Sequence, residues 1–207
     1  MENEIRMVLL DAGHGGMING VYQTAGKRSP VWADGSQYFE GVGNRLIRDE
    51  LAKMLKRAGV RYKYVNEGQK DISLRQRVNI ANAYARKYGI SKTLFISIHS
   101  DAFSKPSAHG WSCFTSIGQT KSDIYATDLY KETLELFPDE RFRKGLGDGD
   151  PDKEAKFTVL TRTVCPAILS ENFFMTNERE CKEILMTKCG RRQIAKAHFN
   201  MIMNFQR

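Results

Sequence analysis

Two short runs in this chain of 207 residues, MVLLD at 7–11 and LFISIH at 94–99, are apolar at nearly every position rather than at alternate ones. A strand with one face in water alternates apolar and polar side chains, so strands of this kind need cover above and below. That places them inside a parallel sheet sandwiched between helices. The rest of the pattern agrees. Residues 5–11, 61–65, 93–99, 111–116 and 166–171 read as strands, each rich in β-branched or aromatic residues and closed by a polar or glycine turn. Between them lie helical periods. Over 42–58, Ile47, Leu51, Met54, Leu55 and Ala58 form one stripe, with Gly59 placed to end the helix. Ser73 and Gln76 have capping-box spacing and open a helix that runs to Tyr88, stopped by Gly89. Two more helices read over 121–137 and 190–205. The expected architecture is α/β: a single domain over 1–207 with a twisted, mainly parallel central sheet covered by helices on both faces.

Composition narrows the partners. With 41% apolar residues and only five prolines the chain has enough material for a core and is neither disordered nor collagen-like. Thirty-two Lys and Arg against 24 Asp and Glu leave a net charge of +8, which favours an anionic partner. The basic residues are spread along the chain and no nucleic-acid-binding motif appears, so an anionic cell envelope is expected rather than nucleic acid. Cys113, Cys165, Cys181 and Cys189 form no Cys-x-x-Cys pair and are expected to be reduced and buried. The apolar run near the start is far too short for a signal peptide or a membrane span, which predicts synthesis in the cytoplasm without a signal peptide and no membrane insertion. A monomer is expected. The charged stretch 138–156 reads as a long surface loop.

The chemistry gathers where strands end, the edge at which α/β sheets place their sites. The first strand is followed by Asp11-Ala-Gly-His14-Gly-Gly, a middle one closes on Ser97-Ile-His99-Ser-Asp101, and the last closes on Leu169-Ser-Glu171-Asn. Glu40 stands at the start of the first long helix, whose N-terminus faces the same edge. Two neutral imidazoles and one carboxylate, His14, His99 and Glu40, make a three-ligand zinc set with a fourth position open, the pattern of catalytic zinc. Such an ion brings the pKa of a water from about 15.7 toward about 7. A further carboxylate is needed as general base, and Glu171 is placed for it. Each residue alone has an ordinary structural explanation. A histidine after a buried strand is commonly hydrogen-bonded, and Glu40 suits a helix N-terminus with no metal at all. A carboxylate ending the apolar run at Glu171 needs a cation or donors, and Arg77 is a candidate partner. His198 falls on an apolar helix stripe and is expected in the core. His109 precedes a strand near the mouth of the site and is a weaker candidate for substrate contact.

Taken together, the motifs resemble the zinc-dependent N-acetylmuramoyl-L-alanine amidases of the amidase-3 family, from about Ile5 to the C-terminus. The family's D-x-G-H-G-G is similar to 11–16, its E-x-x-x-N to 40–44, its R-x-x-x-A-N to 77–82 and its S-I-H to 97–99. Its P-x-x-L-x-E-x-x-F-x-x-N is similar to the stretch from Pro166 through Leu169, Glu171, Phe174 and Asn177. An ordered series of this kind is specific where any single motif is weak. The resemblance implies zinc (Zn2+) held by His14, Glu40 and His99, with Glu171 as catalytic carboxylate. The implied reaction is hydrolysis of the amide joining N-acetylmuramic acid to L-alanine in peptidoglycan, with stem peptide and muramic acid as the groups bound. A compact basic domain of this family resembles a phage or prophage endolysin, released to the wall through a holin lesion. The alternatives are a non-catalytic peptidoglycan-binding protein of the same fold and a zinc peptidase cutting within the stem peptide. The chain departs from the family pattern at Asp101, where Asn is usual, and at Phe173, where Gly is usual. The stretch 16–39 is a longer first loop than many members carry and is expected to wall the groove.

Overall fold

The computed structural model describes residues 4–145, 147 and 149–206. A six-stranded sheet runs through the centre in the order β4 (Tyr62–Tyr64), β1 (Met7–Ala12), β5 (Thr93–Asp101), β8 (Ala167–Phe174), β6 (Ser112–Thr115) and β7 (Lys153–Glu154). Every pairing is parallel except β6 with β8. The two apolar runs occupy the inner strands β1 and β5, and β1 is buried along its whole length. Its side chains divide between two cores. Val8 and Leu10 face the layer of α1 (Glu40–Arg57), α3 (Lys121–Leu136) and α5 (Lys188–Asn204), while Met7 and Leu9 face α2 (Leu74–Tyr88) and the short α4 (Thr158–Thr161). Double-sided cover is therefore the reason for the unbroken apolar pattern.

Helix punctuation follows local chemistry. Ser73 and Gln76 close the expected capping box on α2, and Gly59 beyond α1 takes the left-handed conformation that ends a helix cheaply. A second capping box, Thr120 with Asp123, opens α3. His198 is buried on α5, with Nε2 against Ser170 Oγ at 3.0 Å and Nδ1 against the Ile194 carbonyl at 2.8 Å. The four cysteines are free, but Cys189 is exposed at the start of α5, against the expectation that all four are buried. Its position in the first turn faces solvent, where no apolar partner covers it.

The expectation of a plain surface loop over 138–156 needs correction. Phe142 bridges to Trp111, and β7 adds to the free edge of β6. Asp152 is buried, with Oδ2 accepting from Thr115 Oγ1 at 2.6 Å. Without β7, β6 would present an unpaired edge, and two paired residues are enough to blunt it. A two-residue strand leaves no period in the sequence. Leu146 and Asp148 of this stretch lie outside the described residues.

Candidate metal centre

Three elements bring their donors to the carboxyl ends of β1 and β5. His14 follows β1 on a turn in which its own φ is +66°, left-handed territory that costs a non-glycine residue about 1–2 kcal/mol. The turn is held from outside. Its carbonyl accepts from Arg45 Nη1 at 2.9 Å and from Arg77 Nη2 at 3.3 Å. Gly13 beside it has to be glycine, because a Cβ there would run into the His99 ring.

Glu40 is the first residue of α1 and only 2% exposed. Its Oε2 lies 3.2 Å from His14 Nε2 and its Oε1 lies 3.1 Å from His99 Nδ1. The Ser100 backbone N–H and the Asn44 amide, one turn along α1, also donate to Oε1, at 3.3 and 3.4 Å. Burial works to raise the Glu40 pKa, but the hydrogen bonds and charges of the two imidazoles outweigh it and hold the carboxyl well below its ordinary range. Burial likewise opposes charge on His99, yet the Glu40 hydrogen bond and the Glu171 charge raise it. The two rings meet edge to face with centroids 5.1 Å apart, and one donor atom from each of His14, Glu40 and His99 lies within 4.8 Å of the others.

Glu171 pairs with His99 across the β5/β8 register, so the two side chains share one face of adjacent strands. Its Oε2 is sealed from solvent with no hydrogen-bond partner. Burial pushes its carboxyl up to about 8; His99 and Lys27 pull the other way, while Glu40 and Asp101 add to the rise. Arg77 is not its partner. That guanidinium donates Nη1 to Asp11 Oδ1 and to the Ala12 carbonyl, and Nη2 to Asp71 Oδ1. Asp11, completed by Ser97 Oγ at 2.7 Å, sits two strands from Glu171 in the sheet order and takes the arginine instead.

The four predicted residues are thus brought together. Several contacts that support them leave no signal in the sequence. Asn172, the residue after Glu171, donates Nδ2 to the His99 carbonyl at 3.0 Å and accepts from Trp111 Nε1 at 3.1 Å. Asp101 pairs with Arg143 at 2.8 Å, and Phe173 adopts φ +64° beside the register shift where β8 bends. The left-handed angle explains why glycine suits that position. Asn44, Asp101 and Phe173 stand out in the motif pattern, whereas the partners they and Asn172 meet do not.

A groove of about 700 Å³ opens beside His14, His99 and Glu171. Its walls are the start of α2 and the segment 156–159. The stretch 16–39 does not line it among the described residues, contrary to expectation. It folds back as the hairpin of β2 (Met17–Ile18) and β3 (Val21–Tyr22) and braces the other side. The Tyr22 hydroxyl accepts from Gly41 N, the Lys27 carbonyl from Glu40 N, and Thr24 Oγ1 from Gly15 N. His109 is likewise outside the groove lining, with Nδ1 against the Ser107 carbonyl.

Two imidazole nitrogens and a carboxylate converging on one point, beside a second carboxylate oxygen that no donor meets, fit a divalent cation of borderline softness such as zinc. Comparison with known proteins bears on the same region. The family described as N-acetylmuramoyl-L-alanine amidase matches residues 8–204. The chain is 27% identical to the N-acetylmuramoyl-L-alanine amidase AmiA of Salmonella typhimurium, over 97% of this chain and 76% of that protein. It is 26% identical to the endolysin of Bacillus phage SPP1, over 84% of this chain and 57% of that protein. Among solved structures, an N-acetylmuramoyl-L-alanine amidase from Clostridium difficile 630 shares the fold with a TM-score of 0.76 at 22% identity, covering 98% of this chain and 97% of that one.

Proposed function

The chain belongs to the N-acetylmuramoyl-L-alanine amidase family, and from that premise we propose a zinc-dependent hydrolase that cuts the amide between N-acetylmuramic acid and L-alanine in peptidoglycan. In this reading 1–207 is one catalytic domain acting on the cell wall as a monomer. The observation that carries it is the convergence of His14, Glu40 and His99 next to the unpartnered Oε2 of Glu171, at the end of a groove.

His14, Glu40 and His99 would hold the zinc, which when bound supplies Lewis-acid polarisation of the scissile carbonyl and makes a water more acidic. In the metal-free site the two imidazoles hold the Glu40 carboxyl well below its ordinary range, so it stands ready as an anionic ligand. Glu171 accepts a proton from the attacking water on Oε2 and returns it to the leaving amine. A carboxylate that no fixed donor occupies is free to make that transfer. Asn172 holds the His99 carbonyl, and Arg45 and Arg77 hold that of His14, so the imidazoles are oriented before substrate arrives. No helix among the described residues is long and apolar enough to cross a membrane. The likeness to a phage endolysin supports a lytic setting in which the protein reaches the wall through a holin lesion.

The test is mass spectrometry of what the zinc-loaded protein releases from purified peptidoglycan, beside the chelated protein and Glu171→Gln. Peptides with a free L-alanine amine and intact glycan, lost on chelation and restored by zinc, are the expected products. Fragments cut within the stem would install a peptidase in its place, and binding without release would leave a wall-binding protein.

A further inference from the structure

The groove beside the metal centre has a charge balance of its own. Three carboxylates line it, and two are spoken for. Asp11 is matched by Arg77 and Ser97, and Asp71 by Arg77 and Thr24. Lys156 also lines the groove, exposed and, among the described residues, without an ion-pair partner. The other wall is the start of α2, whose first turn contains no acidic residue to offset the positive end of the helix dipole. Away from the metal ligands and Glu171 the formal charges of the lining cancel, Asp11 and Asp71 against Arg77 and Lys156, but both aspartates meet the one Arg77 and Lys156 is left with no carboxylate beside it among the described residues. Both walls present apolar side chains to the groove, with Leu74 at 53% and Phe157 at 40% exposure. The Lys156 side is rigid. Ala155 N bonds to the Thr115 carbonyl at 3.0 Å, and the Phe157 ring packs on Phe114 with centroids 5.2 Å apart.

We propose that this groove receives the peptide side of the scissile amide and that Lys156 is a specificity-determining residue that pairs with a carboxylate of the peptide. The inference rests on the amidase reading above. The two sides of that amide differ in chemistry: the glycan side is uncharged sugar, whereas the peptide side carries an alanine methyl and then acidic groups. An apolar cleft with one unmatched cation complements the second. Glycan then extends away from the α2 and 156–159 walls. A fixed ammonium facing a carboxylate makes a charge-assisted hydrogen bond, and the same peptide with that carboxylate capped as a carboxamide leaves the cation without its partner.

The experiment compares two soluble muramoyl peptides, one with the free side-chain or α-carboxylate of its acidic residue and one with it amidated. Zinc-loaded wild type, Lys156→Ala, Lys156→Glu and the distant control Lys63→Ala are assayed. Wild type and Lys63→Ala are expected to favour the carboxylate substrate about tenfold in kcat/KM, mostly through KM. In Lys156→Ala the ratio falls to near one, and in Lys156→Glu it inverts. A wild-type ratio that persists in Lys156→Ala overturns the inference while leaving the amidase reading in place. Failure of wild type to release peptide from either substrate overturns both. A ratio that falls equally in Lys63→Ala overturns the local role in favour of bulk charge.

Discussion

Asp11 and Glu171 are both carboxylates near the carboxyl ends of inner strands, and the molecule treats them in opposite ways. Asp11, 1% exposed, is met by Arg77 and Ser97, and the same arginine ties down the turn that carries His14. Glu171 has a buried oxygen that nothing meets. A buried carboxyl that no donor meets is costly, whereas one met by donors on both oxygens is stabilised where it stands. Burial alone therefore does not tell these two carboxylates apart; their hydrogen bonds do.

The sharpest way to break the contrast is to neutralise each member. Glu171→Gln is expected to lower amide hydrolysis by about 10²- to 10⁴-fold, the usual worth of a positioned base. Thermal melting of the metal-free protein should show no loss of stability, because Oε2 has no hydrogen-bond partner to lose. A large drop in Tm would place Glu171 with the scaffold. Arg77→Ala does the reverse. It leaves Asp11 charged and buried with the Ser97 hydroxyl but no cation beside it, so urea unfolding should show a loss of about 3–5 kcal/mol. A variant of wild-type stability would mean that Asp11 is not held by this pair.

A finer test lies one residue from Glu171, at Ser170, whose hydroxyl meets His198. Burial lowers the His198 pKa to about 4 from an ordinary 6.5. The unfolded chain takes up a proton below 6.5 that the folded chain refuses until about 4, so this group's contribution is intact above 6.5 and is lost as pH falls through that window. The full effect is roughly 3 kcal/mol at most. Denaturant titrations across pH 4–7 of wild type and His198→Gln should differ in slope, and parallel curves would remove His198 from the account. The smallest effect is expected at Asp101, which pairs with Arg143 in partial contact with solvent. Asp101→Asn should change stability by less than about 1 kcal/mol and leave the cleavage product unchanged.

Much of this was legible before any coordinates. The inner strands announced themselves by apolar runs, α2 by its Ser73–Gln76 box, and the donors by polar residues standing after strands. Harder to see were contacts made across the sheet. The two-residue β7 carries no period, and Asp152 reads as one more charge in a charged stretch although it is buried against Thr115. The hairpin in 16–39 has a length that suggested a groove wall, but length says nothing about direction, and it braces Glu40 instead.

By itself the sequence determined the layered fold and the identity of the four groups at the centre, because strand periodicity, caps and residue chemistry are local properties. Tertiary structure alone decided which carboxylate is neutralised and which is left bare. Arg77 and Asp11 lie 66 residues apart in the chain. Their meeting depends on the order β1-β5-β8, which sets α2 against the end of β1 and carries Glu171 beyond the reach of that guanidinium. Charge pairing falls off over a few ångströms, so the distances made by the sheet, rather than the residue types, assign the partners.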